Sequence, residues 1–157
     1  MRKLFPIVAI CTGLLLSVAT LATAQDDDHS DQKFTDLDKA VAAAKEGNKQ
    51  ILMIFAGSDW CRPCIQFERE VIETGEFSKY AGDNLVVLYL DFPIHKKNKL
   101  PKAQVKHNEA LAAVFNPMGE FPKVALVDTD MNLLGYLPFH NQTADHFVSE
   151  CEDLIQK

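Results

Sequence analysis

Cysteine is scarce in this chain. Four occur in 157 residues. Cys11 lies in an apolar leader, which leaves Cys61, Cys64 and Cys151. Three are too few for the disulfide framework that staples small secreted domains. Metal-site spacings are also lacking. There is no second C-x-x-C and no pair of histidines at zinc-finger spacing, so a structural zinc site has too few ligands. Positive charge is short: 16 Lys and Arg face 22 Asp and Glu, a net charge of −6. Both positive residues before Gln25 are Arg2 and Lys3, so residues 25–157 alone carry about −8. A chain this acidic is not expected to bind nucleic acid. Beyond the leader there is no apolar span of membrane length, no repeat and no long low-complexity segment.

The leader has a recognisable layout. Arg2 and Lys3 start it, "LFPIVAICTGLLLSVATLA" continues it, and Ala22-Thr23-Ala24 forms an A-x-A site before "QDDDHSDQ". This is the pattern of a cleaved signal peptide over residues 1–24. The small-residue end and acidic flank argue against a stable membrane anchor. Ile10, ahead of Cys11, is not the small residue a lipoprotein site requires. Residues 25–33 read as an acidic, solvated leader. Residues 34–157 suit a single domain with its own core. The expected location is the periplasm or outside the cell, and the expected state is a monomer.

Apolar periodicity orders the domain. "FTDLDKAVAAAKEGNKQ" predicts a helix that starts at a Thr35/Asp38 capping pattern and stops at Gly47. Gln50–Ala56 and Asn84–Asp91 are continuous apolar runs, as buried strands are. The pattern turns helical from Pro63, with Cys64, Phe67, Val71 and Ile72 on one side. Ala103–Phe115 is a further helix. Lys123–Pro138 reads as two strands about a turn at Asp128–Asn132. A last helix aligns Phe147, Cys151 and Leu154. The class is α/β: a mostly parallel central sheet, a C-terminal antiparallel hairpin, and helices on both faces. Sites in such sheets lie at the carboxyl ends of strands. "GSDWCRPC" stands there, directly after Ala56.

Cys61 and Cys64 admit a redox reading with a direct mechanism. Cys61 stands at a helix start, where free N–H groups and the helix dipole favour a thiolate. Arg62 adds charge, and Pro63 is tolerated in a first turn. Cys64 lies one turn deeper, shielded from solvent. The first sulfur would attack a substrate disulfide and the second would resolve the mixed disulfide. The alternative uses the same two thiolates to hold Cu(I) as a carrier without turnover. No metal or other cofactor is expected under the redox reading beyond the disulfide itself.

W-C-x-P-C after an apolar strand, with Phe121-Pro122 ahead of "KVALVD", resembles the thioredoxin superfamily. The similarity is to its exported members of the GSDWCxxC type, over roughly Phe34 to Ile155. The resemblance implies thiol–disulfide exchange, with Cys61 nucleophilic and Cys64 resolving. It implies a cis bond before Pro122 and packing of that proline against the cysteines. It implies cysteine-containing protein substrates and a redox partner protein. A non-catalytic thioredoxin-like binding module is the remaining alternative. Two departures stand out. The buried acid and lysine of many thioredoxins are replaced together by Ile54, Phe55 and Val87, so Asp59 or water would have to accept the Cys64 proton. Phe121 places a bulky aromatic ring where substrates meet the backbone.

Trp60 reads either as core or as a platform beside the disulfide. Cys151 reads as a small core residue. His29, His95, His107 and His146 read as surface residues, and the charges of "QFEREVIE" as a solvated helix face. The loop after Asp91 holds Lys96, Lys97, Lys99, Lys102 and Lys106. It reads either as a solvated insert or as a steering surface on the active-site edge.

Overall fold

The computed structural model describes residues 33–156. Residues 1–24, read above as a signal peptide, and residues 25–32 of the leader, His29 among them, lie outside the described residues. Lys33, assigned above to the leader, is already in a strand.

The elements run β1 (Lys33–Phe34), α1 (Leu37–Gly47), β2 (Gln50–Ala56), α2 (Arg62–Phe67), α3 (Gly75–Asn84), β3 (Leu85–Asp91), α4 (Lys102–Phe115), β4 (Lys123–Val127), β5 (Leu133–Tyr136) and α5 (Ala144–Ile155). A π turn, Glu68–Ile72, extends α2. The sheet order is β1-β3-β2-β4-β5. β1 and β2 each run parallel to β3, whereas β4 runs antiparallel to β2 and β5 antiparallel to β4. The sheet is therefore mixed, parallel on one side and a hairpin on the other.

Helices cover both faces. Leu52, Ile54 and Ala56 of β2 pack with Cys61, Cys64, Phe67, Phe77, Phe147 and Cys151, from α2, α3 and α5. The alternate residues Ile51, Met53 and Phe55 pack with Ala40 and Ala44 of α1 and Leu111 and Phe115 of α4. The strand period of two divides one apolar run between two cores. Complete burial of each of the Leu, Ile, Met and Phe side chains is worth about 1.5–3 kcal/mol.

Local chemistry sets the helix ends. Asp36, rather than Thr35, caps α1 by accepting from the Lys39 N–H at 3.0 Å. Asn48, rather than Gly47, closes it in the left-handed conformation. α3 was not anticipated. Thr74 caps it through the Phe77 N–H, and Phe77 and Ala81 are its buried residues. Two buried residues in ten make a thin apolar stripe, which is why periodicity alone misses it.

Candidate active site

β2 ends at Ala56 and the chain turns through Gly57-Ser58-Asp59-Trp60 into α2. Cys61 is the N-cap of α2, and its Sγ accepts from the Cys64 N–H at 3.2 Å. Cys61 and Cys64 form a disulfide. Pro63 sits in the first turn, where it costs no hydrogen bond, and Arg62 beside it is exposed. Cys64 is shielded as expected, at 3% exposure. Cys61 is not exposed as expected: it is 4% exposed. The reason is local, since Cys61 packs into the same apolar core as Cys64.

Trp60 is not a core residue. It is 40% exposed, and its indole N–H donates to the Phe92 carbonyl at 2.7 Å. Phe121 meets the indole edge to face at 5.3 Å and meets Phe92 at 5.4 Å. Gly57 makes this possible, because a Cβ there would lie 2.3 Å from the indole ring. The Phe121–Pro122 bond is cis. Lys123 pairs with Phe55, so Pro122 comes one step further, beside Ala56, at the edge from which the cysteine loop leaves. Buried Asn116 braces the preceding loop, bonding the Glu120 N–H and carbonyl at 2.9 and 2.8 Å.

Ser58 and Asp59 reach across to the segment after β3. The Ser58 N–H and hydroxyl both donate to the Asp91 carboxylate, at 2.9 and 2.7 Å. Asp59 accepts from the Ile94 and His95 N–H groups, each at 3.0 Å, and from the Asn98 amide at 2.9 Å. The His95 ring nitrogen lies 3.1 Å from the same carboxylate. The Asp59 side chain is 8% exposed. That burial alone would push its pKa up, but the bonds from Ile94, Asn98 and His95 prevail and hold it down to about 2. A carboxyl held so low, with its oxygens turned to the loop, is a poor base for Cys64. Water, or the departing substrate thiolate, remains for that proton.

His95 is thus a partner of Asp59 and not a bystander. His107 is not a plain surface residue either: its ring accepts from the Leu37 N–H at 3.1 Å. Asn108, 1% exposed, donates to the Asp91 carbonyl at 2.9 Å and fixes the end of β3. Glu68 departs from the solvated face read for its segment. It pairs with Lys33 and hydrogen-bonds Tyr89. Burial and the Glu68 charge push the Tyr89 hydroxyl above its ordinary range. The register also places Tyr89, not Val87, opposite Ile54. Cys151 is fully buried, and burial, with Glu150 and Glu152 nearby, pushes its thiol up to about 12. It is a core residue. Among the described residues no group of three or more His, Cys, Asp or Glu is placed to hold a metal ion.

The cysteine pair starts a helix at the carboxyl edge of a strand, and the chain entering the neighbouring β4 at that edge carries a cis proline. The family model described as thioredoxin-like matches residues 32–129. The chain belongs to the thioredoxin-like family and, by its kinship with the relatives below, is a thiol–disulfide oxidoreductase; it carries a Cys61–Cys64 disulfide. It is 30% identical over 118 residues to the disulfide bond reductase DsbH of Chlamydia pneumoniae, covering 75% of this chain and 69% of that protein. It is 34% identical over 106 residues to the thioredoxin-related protein DsbJ of the same organism, covering 61% of this chain and 30% of DsbJ. A solved DsbH oxidoreductase superposes with a TM-score of 0.72 at 26% identity, covering 85% of this chain and 92% of that one.

Proposed function

We propose that the protein is exported and reduces disulfides in other proteins, with Cys61 attacking and Cys64 resolving. The observation that carries this is the Cys61–Cys64 disulfide capping α2 at the carboxyl edge of β2. In the reduced protein, the Cys64 N–H that faces the Cys61 sulfur would stabilise a Cys61 thiolate. That thiolate attacks one sulfur of a substrate disulfide and releases the other as a thiolate. Cys64 then gives up its proton and attacks the Cys61 sulfur. The substrate leaves with two thiols, and the Cys61–Cys64 disulfide remains. Two electrons have moved to the substrate, and a redox partner protein must return them. The reducing direction rests on the similarity to a protein named a disulfide bond reductase. Export rests on the signal-peptide-like pattern of residues 1–24, which supports a location in the periplasm or outside the cell. The "GSDWCRPC" segment supports membership of the exported GSDWCxxC type.

Insulin reduction tests the reading. With dithiothreitol as electron source, the protein should accelerate precipitation of the insulin B chain. A Cys61→Ser variant should not. Equilibration with glutathione should give a potential on the reducing side of the glutathione couple. A potential near that of strong oxidants, about −120 mV, would reverse the assigned direction.

A further inference from the structure

Three consecutive residues of the cysteine loop hold the segment after β3. Ser58 bonds Asp91, Asp59 bonds Ile94, His95 and Asn98, and Trp60 bonds Phe92. The redox reaction explains none of these bonds. They fix a groove of about 320 Å³ whose lining includes Phe92, Pro93, Ile94, Leu100 and Val105, with Lys99 and Glu109 at its rim. Phe92 belongs both to this groove and to the aromatic contact with Phe121, so the groove begins next to Trp60, the residue before Cys61. Ile94 is 68% exposed. Around it Lys96, Lys97, Lys99, Lys102 and Lys106 are exposed, and among the described residues none of the five is in an ion pair. Of the nearby acids, Asp59 and Asp91 are consumed by the clamp itself, and Glu109 of the lining is one acid against five lysines.

Resting on the activity proposed above, we infer that this groove is a docking surface for the substrate's own chain. Its occupant is an extended segment beside the reacting cysteine that carries a large apolar side chain flanked by acidic residues. The apolar side chain enters between Phe92, Ile94 and Leu100, and the flanking acids meet the unpaired lysines. Asp59 is a positioning residue: it keeps the groove in register with the disulfide. Docking of this kind lowers KM for matching substrates and leaves the sulfur chemistry alone.

The test uses two disulfide-bridged peptides of equal length, one with Leu, Asp and Glu beside the cysteine and one with Ser and Gly. A small neutral disulfide, 2-hydroxyethyl disulfide, gives the reference rate. The parent should prefer the apolar–acidic peptide by about tenfold in kcat/KM, the scale of burying one large apolar side chain. The preference should lie in KM. Ile94→Ser should abolish it, and the exposure of Ile94 keeps folding out of question. Asp59→Ala should reduce it and should also release the protection of the Ile94 and His95 amides in hydrogen exchange. Equal rates on the two peptides, or an undiminished preference in Ile94→Ser, overturn the docking surface while leaving the redox activity intact. A parent that reduces none of the three disulfides overturns the redox function and the docking surface together.

Discussion

At the residue scale, the two cysteines are distinguished by backbone and not by burial. Both are nearly inaccessible in the disulfide form. Only Cys61 occupies the cap, where a helix N–H points at its sulfur. Cys64→Ser should therefore accumulate mixed disulfides through Cys61. Alkylation of the reduced parent should label Cys61 first, and faster labelling of Cys64 or Cys151 would contradict the assigned roles. Asp59 supplies a pH signature. Its carboxyl titrates at about 2 in the folded protein against an ordinary 3.8. A lowered folded pKa gives stability that is complete above 3.8 and is lost as pH falls through about 2. Asp59→Asn should be less stable than the parent in urea at pH 7, and the two should converge between pH 4 and pH 2.

At the element scale, the strands were the most legible part of the sequence. β2 has the boundaries its apolar run implies, Gln50–Ala56. β3, α4 and the hairpin fall within a residue or two of their sequence limits, and α5 contains the aligned Phe147, Cys151 and Leu154. Continuous burial on both faces leaves a short apolar run, and its length of seven residues marks it as a strand rather than a buried helix. α3 and the two-residue β1 were missed because little apolar surface marks them. The cap of α1 was read one residue early, since Thr35 and Asp36 are both competent caps and only geometry decides between them. α5 is held by rings: Phe147 packs on Phe67 at 5.1 Å and on Phe77 at 6.1 Å. Phe147→Ala should cost about 3–5 kcal/mol in a denaturation experiment. The basic loop behaves differently because its lysines are exposed. Replacing Lys96, Lys97 and Lys99 with Gln should slow exchange with an acidic protein substrate at low salt, and the difference should shrink as ionic strength rises. Equal rates at low salt would leave those lysines a solvent-facing role only.

At the scale of the whole molecule, the candidate site was legible as chemistry but not as geometry. Two cysteines, a tryptophan and a distant proline announce the redox centre, because the spacing C-x-x-C and the strand before it are local facts. The partners of Asp59 and Ser58 lie more than thirty residues away, and no periodicity links such positions. Histidine roles failed to show for the same reason: His95 and His107 act through contacts set by the sheet order. The parallel pairing of β2 with β3 delivers both loops to one edge, so this acidic molecule carries its basic loop on the same sheet edge as its disulfide.

Trp60 is the chain's one tryptophan, and it adjoins the bond that opens and closes. Disulfides quench indole emission, so the protein carries its own optical gauge of redox state. Emission excited at the indole band should rise on reduction with dithiothreitol and fall on reoxidation. The midpoint against a glutathione series should match the potential found by alkylation. Phe121→Ala, which removes one wall of the indole's surroundings, should shift the wavelength of that emission. An emission that does not change between the two redox states would mean the ring and the sulfurs are optically uncoupled.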